Sequence, residues 1–296
     1  MTRSPTDADT YVIDIPGPDP APHAPAFAMP SGAWDTHFHV IDGRHGYVAD
    51  RSYTPPDAPL QDLLALHARL GIERGVFVQV SVHGTDNRAM VDALRRTPGY
   101  RGVAVLDSSV SDAELDALHA AGVRGVRVNV LFGGGVGFDQ MQLLARKVSR
   151  LGWHMQLLVD VSAPDMPWDT LAALPCDLVV DHMGHADCGL GMDHPGFQRL
   201  LGWLADGRCW VKISGAERIS RRPAPPFADV TAVAQALIAA GPDRCVWGSD
   251  WPHVKLSVAM PNDGDLLDLL ATWAPDADQR RKILVDNPLR LYTQAD

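Results

Sequence analysis

The chain has 296 residues and carries 26 Lys and Arg against 36 Asp and Glu, a formal charge of −10 at pH 7. That length suits one large barrel or two medium domains, while 46% hydrophobic and 21% charged residues exclude collagen, coiled coil and global disorder. An acidic balance with no Lys/Arg-rich run excludes a nucleic-acid partner, and no stretch approaches the roughly 18 apolar residues of a membrane span.

From the N-terminus, Met1-Thr2-Arg3 leads into Asp and Pro rather than an apolar signal segment, so a cytoplasmic protein is expected. Cys176, Cys188, Cys209 and Cys245 lie far apart with no CxxC pair, the pattern of buried free thiols in a reducing compartment. Between Pro16 and Pro30 the string PGPDPAPHAPAFAMP removes amide donors and fixes the backbone in extended form. Residues 1–31 are therefore expected to be an extended arm and 32–296 the folded domain. Such an arm wraps either its own domain or a neighbour, so monomer and homodimer both stay open.

Eight short apolar runs follow, at Ala33–Val40, Gly75–Ser81, Gly102–Leu106, Gly125–Val130, His154–Val159, Asp177–His182, Cys209–Ser214 and Cys245–Asp250. Apolar runs without alternation are what strands buried on both faces of a parallel sheet look like. Helix-length stretches separate them. Leu60–Leu70 stops at Gly71, Phe138–Leu151 stops at Gly152, and Ser111 to Glu114 has capping-box spacing,. Eight strand-then-helix units predict an α/β fold, a single distorted (β/α)8 TIM barrel with a Pro-rich N-terminal arm. The open doubly wound sheet is the alternative, but neither GxGxxG nor GxxxxGK[ST] occurs, and Gly133-Gly134-Gly135 lacks a phosphate cradle's lysine and hydroxyl,.

In such a barrel, catalytic groups sit where strands end and loops open. His37 and His39 are two apart near the end of the first run, His182 ends the sixth and Asp250 ends the eighth. Three imidazoles and a carboxylate are thus expected to converge in one mouth. They can ligate a single divalent metal such as zinc through His37, His39, His182 and Asp250, lowering the pKa of a bound water. They can equally work without one, Asp250 taking a proton from water while imidazoles polarise the attacked carbonyl. Either way the chemistry is hydrolytic, and no GxSxG supplies a nucleophile.

Arg127, inside the fourth run, requires a carboxylate partner from protein or substrate. Arg218 follows the seventh run, where a solvated surface charge is the default. The segment Ser81-Val82-His83-Gly84-Thr85-Asp86-Asn87 concentrates hydroxyl, imidazole and amide groups and also suits a helix N-cap.

The strings DTHFHV (35–40), SVHGTDN (81–87), RGVRVN (124–129), VDHMG (180–184), WGSDWPH (247–253) and NPLRLY (287–292) together resemble the amidohydrolase superfamily. Within it they are similar to the branch of 2-pyrone-4,6-dicarboxylate lactonases and sugar-acid lactonases. The likeness runs in order from about Gly32 to Tyr292. It implies a carboxylic-ester hydrolase that opens a small anionic lactone with no metal required. Position by position, His37, His39 and His182 would polarise the carbonyl and Asp250 would be the general base. Tyr53, Ser81, Arg127 and Arg218 match substrate-contacting positions, and His83, Thr85, His253 and Lys255 complete the expected contact set. Three departures bear on substrate: Gly133 stands where the pyrone lactonases carry a second arginine, Leu158 replaces a tyrosine and Lys255 an asparagine. Losing one bidentate carboxylate clamp weakens the case for the dicarboxylate itself. Two further readings are a zinc-dependent decarboxylase of the same superfamily and a barrel that captures a carboxylic acid without turning it over.

Overall fold

The computed structural model describes residues 13–132, 136–256 and 258–293. The Met1-Thr2-Arg3 start, the arm's first twelve residues and Gly133–Gly135 lie outside the described residues.

The apolar runs become eight parallel strands: β1 (Trp34–Phe38), β2 (Arg74–Val78), β3 (Arg101–Ala104), β4 (Val123–Asn129), β5 (His154–Leu158), β6 (Leu178–Val180), β7 (Cys209–Ile213) and β8 (Cys245–Trp247). They pair in chain order, β1 to β8. Just past the strands, Asp250 N–H donates to His37 O at 2.7 Å and His39 N–H to Trp251 O at 2.8 Å, drawing the last strand against the first. The molecule is a nearly closed eight-stranded parallel barrel with helices outside, and the open sheet is set aside.

The longest helix after each strand is, in order, α1 (Leu60–Leu70), α2 (Arg88–Arg96), α3 (Asp112–Ala120), α4 (Met141–Ser149), α5 (Trp168–Ala172), α6 (Pro195–Ala205), α7 (Thr231–Ala240) and α8 (Asp263–Trp273), and a C-terminal helix follows at Asn287–Thr293. The anticipated stop of α1 at Gly71, φ 76°, and the capping box of Ser111 and Glu114 are both present. Phe138–Gln140 forms a separate 3-10 turn before α4, and α5 is cut short between Pro167 and Pro175, which cannot supply helical amide donors,.

Inside the barrel, Trp34, Val76, Val78, Val103, Val179, Trp210 and Val246 form an apolar cluster with Leu291 and Tyr292 of the C-terminal helix. Tyr292 stacks on Trp34 at 6.1 Å, at the start of β1, and so plugs the N-terminal end. Residues 13–31 contact the outer helices: Ala26 N–H donates to Asp268 of α8 at 2.7 Å and Arg69 of α1 donates to Pro22 O at 3.3 Å. Among the described residues no helix is long and apolar enough to cross a membrane, and the four cysteines are free, Cys209 and Cys245 buried.

Candidate active site

Breaks in strand geometry at the C-terminal ends of β1, β6 and β8 place the polar side chains. The pairing of β1 with β2 slips between Asp35 and Phe38, and a register slip re-aims the side chains beyond it. There His37 and His39 bring their rings to 5.2 Å at 88°. The sixth and eighth runs leave strand geometry sooner than their apolar pattern suggests: β6 stops at Val180 and β8 at Trp247. A Cβ at Gly248 would lie 2.6 Å from His37 Cβ, so glycine alone permits the approach of β8 to β1. His182 (φ 48°) and Asp250 (φ 66°) then sit in the left-handed region. Such a conformation costs a bulky residue about 1 kcal/mol or more and is concentrated at functional sites.

These turns bring the four expected residues together. Asp250 Oδ1 lies 3.6 Å from the Nε2 atoms of His37, His39 and His182 alike, and all four side chains are buried. Each imidazole is held from behind. His39 Nδ1 is 2.7 Å from Val78 O, His182 Nδ1 is 2.9 Å from Ser214 Oγ, and His37 Nδ1 is 3.2 Å from Asp181 Oδ1. A carbonyl oxygen only accepts, so His39 carries its proton on Nδ1 and, when neutral, presents a bare Nε2 to the site. Burial, then the nearby Lys212, lowers His37 to about 3. Burial likewise holds His182 well below the ordinary imidazole range.

Burial pushes the Asp250 carboxyl up, but Arg218 and then His182 outweigh it and keep it well below the usual range. Arg218 Nε donates to Asp250 Oδ2 at 2.5 Å and its NH2 group to Val254 O at 3.0 Å. The expected surface charge is thus a correction: Arg218 is 7% exposed and locked onto the base. Arg127 finds its carboxylate in the protein, Nε donating to Asp181 Oδ2 at 3.1 Å.

Below the histidines lies a buried network that the sequence analysis did not single out. Lys212, fully buried in β7, donates through Nζ to Thr36 O and Gln156 Oε1, both at 2.8 Å, and stands 3.3 Å from His37 Nδ1. Burial lowers its ammonium to about 8, against the pull of Asp181. Gln156 Nε2 donates to Asp181 Oδ2 at 3.1 Å. Lysine inside the string CWVKIS and glutamine inside HMQLLV were the available signals, since a polar residue in a doubly buried strand needs a partner. His185 also escaped notice. Its ring meets His182 edge-on at 5.5 Å, and burial with Arg218 lowers it to about 4.

The remaining expected contacts divide. Tyr53 Oη lies 3.3 Å from Ser81 Oγ, and burial raises its phenol to about 12 against the pull of Ser81, Arg218 and Arg127. Those two are therefore buried against each other. His83 spends Nδ1 on Gly46 O at 2.8 Å and accepts Asp42 N–H on Nε2 at 3.4 Å, so it ties down a loop. Thr85 is exposed. His253 is held by Asp263 at 2.9 Å and Glu217 at 3.8 Å. Lys255 Nζ reaches Ser52 O at 3.5 Å. Leu158 is a buried apolar residue at the end of β5, and Gly133 lies outside the described residues.

Among the described residues, two sets of three donors could hold a divalent ion. A tetrahedral zinc site spaces its ligand atoms about 3.4 Å apart, close to the 3.6 Å separating Asp250 Oδ1 from each Nε2. Both His37-His39-Asp250 and His37-Asp181-His182 bring three ligand atoms within 4.8 Å of one another. Against an ion stand two cations already in place, Arg218 on Asp250 and Lys212 beside His37.

A family model described as Amidohydrolase matches residues 34–294. Among curated proteins, a 2-pyrone-4,6-dicarboxylate hydrolase of Comamonas testosteroni is 42% identical over 287 residues, covering 92% of this chain and 93% of its own. A 4-sulfomuconolactone hydrolase of Hydrogenophaga intermedia is 39% identical over 279 residues, covering 90% and 91%. Among solved structures, an Agrobacterium tumefaciens protein crystallised without ligand superimposes with a TM-score of 0.83 at 29% identity, covering 90% of this chain and 98% of its own.

Proposed function

The chain belongs to the amidohydrolase family, and from that premise we propose that it is a lactonase that opens a small anionic lactone, 2-pyrone-4,6-dicarboxylate or a relative of it. The observation that carries this reading is the common 3.6 Å spacing of Asp250 Oδ1 from three imidazole Nε2 atoms. That spacing brings the base and all three imidazoles to one point of the barrel. The activities of the two curated relatives, both on cyclic esters, support the substrate class.

Asp250 is ionised throughout the neutral range and takes a proton from water as the oxygen attacks the lactone carbonyl carbon. His37, His39 and His182 surround the carbonyl, whose oxygen gains negative charge as the tetrahedral intermediate forms. The ring C–O bond then breaks, and the proton held by Asp250 passes to the departing ring oxygen. One water is consumed and an open-chain acid leaves. Tyr53, Ser81, Arg127 and Arg218 are the proposed substrate contacts nearest this centre; Thr85 and Lys255 would act from the surrounding loops, whereas His83 and His253 are committed to Gly46 and Asp42 and to Asp263 and Glu217. A screen of pyrone, sulfomuconate-type and sugar-acid lactones with chelator-treated protein, followed as proton release, tests the reading. Opening of none of them would overturn it.

The ligand-atom spacing favours one second reading, a zinc-dependent decarboxylase. There His37, His39, His182 and Asp250 would hold the ion, whose contribution is to lower the pKa of a bound water. Elemental analysis of protein purified without added metal, with turnover before and after chelation, separates the two. A barrel that merely captures acids gains no support from relatives named as hydrolases.

A further inference from the structure

The three imidazoles are chemically inequivalent. His39 Nδ1 must donate to Val78 O, so neutral His39 offers a lone pair at Nε2,. His37 is not fixed in this way. Its Nδ1 faces the Asp181 carboxylate, which can only accept, at 3.2 Å and the Lys212 ammonium, which can only donate, at 3.3 Å, so its surroundings admit either tautomer,. Lys212 spends its other two N–H groups on Thr36 O and Gln156 Oε1. A site with only bare nitrogens and a carboxylate could accept protons but could not polarise a carbonyl.

His182 differs because its Nδ1 faces a hydroxyl. Ser214 is 3% exposed, and among the described residues its Oγ has no hydrogen-bond partner except His182 Nδ1, at 2.9 Å. A hydroxyl can donate or accept there. Accepting would strand a buried O–H, whereas donating leaves only an idle lone pair, the cheaper outcome. Gly215, φ 70°, makes room for this approach, since a Cβ there would lie 2.8 Å from His182 Cβ and 3.1 Å from Nδ1.

We propose that Ser214 is a positioning residue whose hydroxyl proton fixes His182 as the Nε2–H tautomer, making His182 the neutral donor to the carbonyl oxygen while His39 accepts from the attacking water. The inference rests on the lactone-opening reading for its catalytic consequence, but not for the tautomer. The water then gives one proton to Asp250 and directs the other at a bare Nε2. Charge develops on the carbonyl oxygen opposite an N–H that can meet it without first becoming a cation.

Long-range proton–nitrogen spectra of the full-length, nitrogen-15-labelled, chelator-treated protein read the tautomers directly, with His182 assigned by its loss in His182→Gln. Wild type is expected to show His182 neutral and protonated on Nε2. Ser214→Ala moves it toward Nδ1–H and lowers kcat roughly tenfold, the usual scale for removing an orienting partner, at near-constant KM. Ser214→Thr keeps the hydroxyl and restores both. A wild-type His182 protonated on Nδ1, or an unchanged tautomer in Ser214→Ala, would overturn the proposal even if that variant folds poorly enough to blur its kinetics. The expected spectra with no lactone opened would remove the donor role and the hydrolytic reading together.

Discussion

Two buried clusters in this barrel are made of the same chemical groups and behave in opposite ways. In one, His37, His39 and His182 crowd around Asp250. In the other, His253 stands between Asp263 at 2.9 Å and Glu217 at 3.8 Å. Burial disfavours a charged imidazole in both. In the first cluster Arg218 and Lys212 supply the positive charge, so burial prevails: His37 falls to about 3 and Asp250 stays ionised. In the second, burial is overcome by Asp263 and Glu217, and His253 rises to about 10. His253 is thus a fixed cation bracing the residue beside Arg218 and the start of α8, whereas the first cluster keeps proton-accepting atoms free. What separates a reactive histidine from a structural one here is the sign of its buried neighbours.

Breaking the reactive half should give the largest effect. Asp250→Asn removes the proton acceptor with almost no change of shape, so lactone turnover is expected to fall about 10³-fold with substrate binding largely retained. Steady-state rates alongside calorimetric titration check it, and near wild-type turnover would exclude Asp250 as the base.

The structural half should respond in stability. A folded-state value raised from 6.5 to about 10 makes the contribution of His253 complete below about pH 6.5. It is lost as pH climbs toward 10, because the unfolded chain releases that proton first. His253→Gln should therefore cost on the order of 3 kcal/mol at pH 6 and flatten the decline in stability between pH 6.5 and 10. Urea melts across that range measure both, and an unchanged slope would mean that His253 is not the titrating group.

Exchanging the cation sharpens the comparison further. Arg218→Gln takes away the group that holds Asp250 down, and burial would then dominate. The acidic limb of the rate profile is expected to move to higher pH, and KM for an anionic lactone to rise about tenfold. A limb that stays in place would show that Arg218 does not set the charge of the base.

The barrel was legible because its strands, apolar on both faces, cannot be confused with amphipathic helices once eight of them recur. Strand ends were less so. Apolar patterning runs on through Val180-Asp181-His182 and Trp247 to Asp250, while the chain leaves the strand where Gly248 must pass His37 and where His182 turns to positive φ. The four converging residues could be read from their position at run ends. Their supports could not. Lys212 and Gln156 looked like isolated polar interruptions, because the partner each needs lies on another strand. Arg218 looked like a surface residue for the same reason: the carboxylate that buries it is 32 positions away. His83 and His253, both imidazoles beside the right motifs, are committed to backbone and carboxylate partners that only three dimensions reveal.

The smallest expected effect separates the two ways of supplying positive charge. If Arg218 and Lys212 already serve the reactive cluster, a strong chelator should leave lactone turnover within about twofold of its starting value, because the proposed proton transfers run through side chains alone. Added zinc would then compete with Arg218 for Asp250 and should inhibit. If the tetrahedral spacing is instead used for an ion, chelation abolishes turnover and zinc restores it. The sign of the response to zinc decides the matter even when trace metal survives chelation, since one arrangement loses activity as the ion binds and the other gains it.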